Sequence, residues 1–110
     1  MLEPQKVIDT STSNGVSEVF CAQWYPDVVA QLIPAIAQGK TLTVTLKGSM
    51  VNNINKSVTL DTATLDHDDD AISQKLVKPV GEYWLYYWLE IATTDANATI
   101  GEAYIGAGGC

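Results

Sequence analysis

Alternation of apolar and polar side chains is the clearest pattern in this sequence. Residues 41–47 place Leu42, Val44 and Leu46 at every second position, with Thr or Lys between them. Successive side chains of an extended chain point to opposite faces, so this period of two predicts a β-strand with one buried face. Residues 48–56 are rich in Asn, which bonds locally to its own backbone, and are predicted as a loop. Residues 57–61 resume the alternation and predict a second strand.

Turn residues separate the other predicted strands. Gly, Pro, Asn and Asp recur at short intervals, and each favours a turn through its backbone freedom, fixed φ or local hydrogen bonding. The further predicted strands are residues 16–24, 72–77, 82–92 and 98–105. About seven short strands at such intervals predict an all-β, single-domain antiparallel β-sandwich, of the jelly-roll or immunoglobulin-like type.

Residues 28–37 are apolar enough to suit either a buried helix or a strand. Pro34 lies in the middle of this segment, where it removes one backbone donor and weakens either element as a continuous structure. The sequence leaves the choice between helix and strand open at this point.

The chain of 110 residues fits one domain with one core. By size scaling, such a domain buries roughly two-thirds of its unfolded surface. Residues 1–15 are polar and are predicted as an N-terminal arm, with a short edge strand over residues 7–9 as the alternative. Residues 16–107 form the predicted sandwich, and residues 108–110 form a flexible C-terminal tail.

The segment 82–91 is the most unusual, because it holds five aromatic side chains in ten residues. Its more aliphatic face is expected to line the core, whereas Glu90 marks the opposite face as outward. Trp84, Tyr86 and Trp88 lie on that outward face and are the predicted interface residues. An exposed patch of this size is about the largest that a monomer tolerates, so we expect a homo-oligomer, either a dimer or a trimer.

Composition and charge support a β protein and narrow its partners. Eleven Thr, ten Val and eight Ile favour strands, since β-branched side chains pack well on a pleated sheet. The net charge of -7 argues against nucleic acid as a partner, because such binding relies on Lys and Arg. No run approaches the ~20 apolar residues of a membrane span. We therefore expect no membrane partner, and synthesis in the cytoplasm without a signal peptide.

Patterns typical of catalysis or metal binding are weak. His67 is the only histidine, and the four aspartates around it would stabilise its charged form and make it a poor base. Three aspartates from Asp66 to Asp70 have the alternate spacing of an EF-hand loop, but Ala71 and Val77 replace its glycine and its bidentate glutamate. We predict a solvated acidic loop, with a weak cation site as the alternative. No catalytic residue, cofactor or metal ligand is predicted.

Cys21 and Cys110 are too few for a disulfide framework, and their spacing matches no zinc or redox motif. Cys21 falls in a predicted strand, where a small thiol is ordinary core filling. Both thiols are therefore predicted to be free. The alternative is a disulfide formed by the glycine-rich tail in an oxidising setting.

The order of segments along the chain is informative in its own right. It comprises Thr-rich strands at residues 41–48 and 57–65, an acidic spacer, an aromatic strand at residues 83–91, a turn at residues 95–97 and the Gly-Ala-Gly-Gly ending at residues 106–109. Over residues 16–109, this layout and composition resemble small β-sandwich virion proteins of tailed bacteriophages, in particular the decoration and cement proteins of the capsid.

This resemblance implies a structural role on the outside of a head shell, where the protein would bridge neighbouring major capsid proteins. It carries no catalytic residues over to this chain. The alternative is a carbohydrate- or receptor-binding module of a phage fibre or tail, in which Trp84, Tyr86 and Trp88 would stack on sugar rings. In both cases the protein would act by binding rather than by catalysis.

Overall fold

The computed structural model describes residues 2–9, 12–67, 74–95 and 97–108 of the chain. These residues form nine strands and no α-helix. The strands are β1 (Leu2–Ile8), β2 (Gly15–Val16), β3 (Phe20–Cys21), β4 (Asp27–Ile36), β5 (Thr41–Ser49), β6 (Val58–Asp66), β7 (Gln74–Val77), β8 (Tyr86–Ala92) and β9 (Ala98–Gly108). The predicted all-β fold is confirmed.

The strands form two antiparallel sheets that pack face to face. The first sheet has the order β1-β9-β4-β7, and the second has the order β2-β8-β5-β6, with β3 also paired to β8. Because β2 and β3 lie along the same neighbour, they act as two halves of one interrupted strand. The chain then crosses between the sheets in the order of an eight-stranded jelly roll. This finding decides between the two predicted types of β-sandwich.

The segment for which helix and strand were both open is β4. Its side chains alternate strictly between exposed and buried along all ten residues. Strand β7 pairs only with residues 29–32 of β4. The fold accommodates Pro34 because it lies beyond this pairing, where a missing backbone N–H breaks no hydrogen bond to β7. The pairing with β9 also shifts register between Ile33 and Pro34.

The N-terminal residues belong to the first sheet rather than to a separate arm. β1 pairs with β9, and its residues Val7 and Ile8 are buried in the core. Burial of these two side chains is the physical reason that the segment docks. Pro4 is compatible with this position because β1 is an edge strand. Residues 109 and 110 of the predicted tail lie outside the described residues.

The predicted strand at residues 16–24 is interrupted after β2. The Glu18 N–H donates to the Val7 carbonyl on β1, at 3.0 Å, and thereby joins the two sheets. The Leu89 N–H on β8 donates to the Ser17 hydroxyl at 2.9 Å, so a side-chain oxygen takes the place of the backbone carbonyl that accepts in a regular strand pair. These contacts depend on residues distant in the chain, so alternation could not reveal the interruption.

Gly48 on β5 marks a close contact inside the sandwich. A Cβ atom at this position would lie 2.7 Å from Leu60 Cδ1 and 2.9 Å from Trp84 Cγ. Gly48→Val is therefore expected to lower the unfolding free energy by about 1–3 kcal/mol through overpacking. Urea denaturation measures the effect, with Gly106→Ala as the control, because a Cβ there meets nothing closer than 3.5 Å. Equal midpoints for the two variants would contradict this packing.

Candidate functional site

Three connections of the chain lie at one end of the sandwich, which we call the loop end. They are residues 22–26, 50–57 and 78–85, which follow β3, β5 and β7. The Ala22 N–H donates to the Leu85 carbonyl at 2.9 Å, which links the first connection to the third. Ser49 on β5 pairs with Tyr86 on β8, which brings the second connection beside the third.

The loop end exposes an unusual share of apolar side chains. Among the described residues, it carries six of the eleven large hydrophobic side chains that are exposed. The six are Trp24, Met50, Val51, Ile54, Val80 and Tyr83. The described parts of the connections at the opposite end carry none of the eleven. A concentration of this kind indicates an interaction surface rather than scattered surface residues.

The described connections at the opposite end carry charge instead. Lys40 forms an ion pair with Asp95, at 2.9 Å between Nζ and Oδ2. The hydrogen bond from Lys40, followed by the one from the Asn97 N–H, lowers the pKa of Asp95. Asp9 and Asp66 are exposed at this end as well. The molecule is therefore polarised, with one apolar end and one acidic end.

Connection 50–57 is held in shape by its own hydrogen bonds. Ser49 is buried, and its hydroxyl donates to the Lys56 carbonyl at 2.5 Å while it accepts from the Val51 N–H at 3.1 Å. The Lys56 N–H also donates to the Asn53 carbonyl at 2.9 Å. This connection presents its apolar side chains on an ordered backbone, so a partner loses less conformational entropy on binding it.

Connection 78–85 is organised around a buried lysine. Lys78 is 5% exposed, and its Nζ donates to the Pro79 carbonyl at 2.8 Å and to the Glu82 carbonyl. The same Nζ lies 5.0 Å from the centre of the Tyr83 ring. Burying an ammonium group is costly unless acceptors replace its water. The contacts to Lys78 therefore hold the backbone of this connection in one conformation.

Connection 22–26 contains the only two non-glycine residues with positive φ among the described residues. Gln23 has φ of 50° and Trp24 has φ of 64°. For a bulky L-residue this left-handed backbone is unfavourable by about 1–2 kcal/mol. The Tyr25 N–H donates to the Ala22 carbonyl at 3.0 Å and closes the turn. Strain that holds an exposed Trp outward is typical of a functional position.

The strain at Trp24 predicts a difference between two substitutions. Trp24→Gly and Trp24→Ala remove the same side-chain contacts, but only Gly adopts a positive φ without a steric penalty. The Gly variant is therefore expected to be more stable than the Ala variant by about 1 kcal/mol. Denaturant titration of both variants measures this difference. Equal stabilities would show that the turn carries no strain.

The structure does not place the predicted interface residues on an exposed patch. Trp88 is fully buried, Trp84 packs against the core, and Tyr86 is half-buried. The prediction that these rings form an outward platform is therefore wrong as to their exposure. The stacking surface proposed for sugar rings also relied on that exposure.

Trp84 lies before the start of β8, so the alternation of that strand does not decide its direction. Its side chain lies over Gly48, and its backbone N–H donates to the Tyr87 hydroxyl at 3.1 Å. Trp84 Nε1 donates to Glu82 at 3.3 Å. The glycine opposite makes room for the indole ring, which a strand pattern within residues 82–91 could not show.

Trp88 does lie on the face of β8 opposite the core cluster, as predicted, but it is covered there. It pairs across the sheet with Lys47. Lys47 Nζ donates to Thr59 Oγ1 at 2.7 Å and forms an ion pair with Glu90 at 3.6 Å. These contacts hold the Lys47 side chain, which is 19% exposed, against the same face of the sheet on which Trp88 lies.

Burial of Tyr87 makes the protein sensitive to alkaline pH. Desolvation raises the pKa of its phenol above the ordinary value of 10.0, although the hydrogen bond from Trp84 opposes the shift. A raised pKa in the folded state means that stability is complete below the ordinary pKa and is lost as pH rises through the folded value. We expect the unfolding free energy to fall above pH 10.0. Denaturation of Tyr87→Phe across this pH range tests the cause. A smaller decline in the variant would assign the loss of stability to the Tyr87 phenol, and an identical decline would contradict that assignment.

The remaining candidate residues have simpler positions. Cys21 is an exposed free thiol rather than core filling, because it pairs with Tyr86 on the outer face while Phe20 points inward. His67 Nδ1 lies 2.8 Å from the Ile36 carbonyl oxygen. Among the described residues, no group of three or more His, Cys, Asp or Glu side chains is placed to hold a metal ion. Residues 68–73, with most of the acidic tract, and Cys110 lie outside that part of the chain.

The sequence did indicate part of the loop end, although strand alternation alone does not reveal it. Met50, Val51 and Ile54 stand in an Asn-rich segment predicted to be a loop, and apolar residues in such a loop have no core face to join. Trp24 gave no comparable signal, because it ends a segment that reads as a strand.

Comparison with known proteins does not assign the chain to a family. No protein-family model matches the sequence, and a search of curated proteins finds no significant match. Among the described residues, no helix is long and apolar enough to cross a membrane.

Proposed function

We propose that this protein is a structural component of a tailed-bacteriophage virion, a decoration or cement protein that docks through its loop end on the major capsid protein. The observation that carries the docking surface is the gathering of six exposed apolar side chains on three connections at one end. The assignment to a virion rests on the resemblance in layout and composition described above.

Order in the loop end supports a binding role. Each of its connections is held by internal contacts: the Ser49 hydroxyl, the Lys78 ammonium, and the turn closed by Tyr25. A surface that is already ordered loses little conformational entropy on docking, so more of the apolar burial appears as affinity. A rigid sandwich with such an end suits a protein that bridges subunits of a shell.

The charges favour a protein partner over an anionic surface. The loop end and its border carry Lys56 and Lys78 together with Asp27 and Glu82, so the two signs balance. The whole chain has a net charge of -7. Anionic lipids and nucleic acids attract basic surfaces, and this chain offers none at its apolar end.

Many copies would compensate for a modest interface. A patch of six side chains limits the affinity of one copy, but several weak contacts that act together on a lattice raise the overall affinity strongly. In this arrangement the acidic opposite end faces solvent, where its charge keeps the particle soluble.

A sedimentation experiment tests this role. Purified protein would be mixed with undecorated heads of the phage that encodes it, and in parallel with vesicles of anionic lipid and with bacterial surface polysaccharide. We expect saturable co-sedimentation with heads, at regular positions in electron micrographs, and none with vesicles. Failure to bind heads, or binding to vesicles alone, would overturn the proposal.

The alternative, a carbohydrate- or receptor-binding module of a fibre or tail, has one observation in its favour. Trp24 and Tyr83 are exposed aromatic rings on adjacent connections of the loop end, and such rings stack on sugars. Saturable binding to polysaccharide that is lost in Trp24→Gly, without binding to heads, would favour this role.

A further inference from the structure

A shallow groove crosses the outer face of the first sheet. Its floor is one row of residues across all four strands: Pro4 on β1, Gly106 on β9, Val29 on β4 and Val77 on β7. The groove has a volume of about 480 Å³. Gly106 has no side chain between Pro4 and Val29, and its absence leaves a gap in an otherwise continuous apolar row.

The rim of the same groove carries a protruding apolar side chain. Val80 is 99% exposed and lines the groove beside the end of β7. The patch therefore contains both a trough, at Gly106, and a knob, at Val80. A surface that carries a knob and a matching trough can pair with an identical surface across a two-fold axis.

We propose that this face binds a second copy of the chain, related by a two-fold axis, with Val80 of each copy seated in the Gly106 trough of the other. The proposal does not depend on the phage role, because it concerns a different face. Of the six apolar side chains of the loop end, only Val80 is used by both surfaces.

Charge favours a second copy at this face over the acidic end of the molecule. The outer face of the first sheet carries Lys6 and Lys75 together with Asp27 and Glu102, and Glu3 is exposed on its edge strand β1, so the face is close to neutral. The whole chain has a net charge of -7. Two acidic molecules repel each other, and they approach most readily through a neutral face that keeps the acidic end of each copy distant from the other.

The size of the face sets the strength of the contact. Four strands about 4.8 Å apart and about eight residues long give a face of roughly 500 Å² per copy. The pair would bury roughly 1,000 Å², which is at the low end for specific interfaces. We therefore expect a reversible dimer that forms at tens to hundreds of micromolar and dissociates at low micromolar concentration.

Sedimentation equilibrium over this concentration range tests the proposal. The unaltered protein should show a monomer–dimer equilibrium, and Gly106→Val, which fills the trough, should be monomeric at every concentration. We expect the fold to tolerate the valine, because a Cβ at Gly106 meets nothing closer than Pro4 at 3.5 Å and the backbone φ is not left-handed. Circular dichroism would verify that the variant is folded. Ile54→Asp, on the loop end, is the matched control and should retain the dimer.

A mixing experiment tests the two-fold symmetry. Val29→Asp and Val29→Lys each place a like charge at the centre of both faces of a symmetric pair, so each variant alone should be monomeric. Mixed together, they should form a heterodimer, because opposite charges then meet. A monomeric unaltered protein, a dimer that survives Gly106→Val, loss of the dimer in Ile54→Asp, or failure of the mixture to associate would each overturn the proposal. Retention of head binding by Gly106→Val would separate this face from the docking end.

Discussion

Replacing Trp88 by Ala is expected to lower the unfolding free energy by about 3–5 kcal/mol, the largest stability change among the substitutions considered. Trp88 is fully buried although it lies outside the core cluster, so truncation leaves a cavity between the sheet and the side chains that cover it. Such a change is a large part of the ~5–15 kcal/mol that stabilises a small domain. We expect the variant to unfold at much lower denaturant concentration.

The test must separate unfolding from dissociation. Equilibrium denaturation followed by circular dichroism measures the stability, and Trp88→Phe is the matched control because it retains most of the apolar volume. The Phe variant should retain most of the stability that the Ala variant loses. A stable, folded Ala variant that only changes its oligomeric state would show that Trp88 belongs to an interface after all.

The second large effect concerns the loop end. If the proposed function is right, changing Met50 and Ile54 together to Asp should weaken docking on phage heads by at least about a hundredfold, because each buried apolar anchor of an interface contributes about 2 kcal/mol or more. Both side chains are about half exposed in the free protein. The unfolding free energy should therefore change by no more than about 1 kcal/mol.

Val16→Asp is the matched control for this pair. Val16 is 41% exposed on β2, away from the loop end, so the same change of chemistry there should leave head binding intact. Head binding would be measured by quantitative co-sedimentation at fixed ionic strength, which keeps the screening of the added charges constant. Equal loss of binding in Val16→Asp would point to net charge as the cause, and unchanged binding in the double variant would place the docking surface elsewhere.

Strands with one buried face were predictable, and strands whose edges depend on other segments were not. Residues 41–47 became part of β5, with one buried face, because alternation is a local property of an extended chain. Residues 58–61 became part of β6, although Val58 is 44% exposed there. The predicted strand at residues 16–24 is broken by Glu18, whose N–H bonds to β1. A hydrogen bond to a partner eleven residues away leaves no trace in the local pattern.

In the candidate site, too, some features were predictable from the sequence and others were not. Residues 48–56 were predicted as a loop, and three of its apolar side chains are exposed as any loop residue would be. The exposure of Trp84 and Trp88 was predicted wrongly, because alternation assigns a face but cannot tell whether that face is covered. Gly48 makes room for one ring, and Lys47 lies beside the other.

The amino-acid sequence by itself determined that this protein is one β-sandwich domain with an acidic surface, because side-chain period, β-branched composition and charge are properties of neighbouring residues. Only the tertiary structure decided the jelly-roll order and the burial of Trp88. It also decided which side chains share the loop end. Residues 22–26, 50–57 and 78–85 are far apart in the chain. They meet because the first and third connections cross between the two sheets at this end, where the second connection turns between the neighbouring strands β5 and β6 of one sheet. Long-range pairing of this kind is set by the packing of the whole core, which no local pattern encodes.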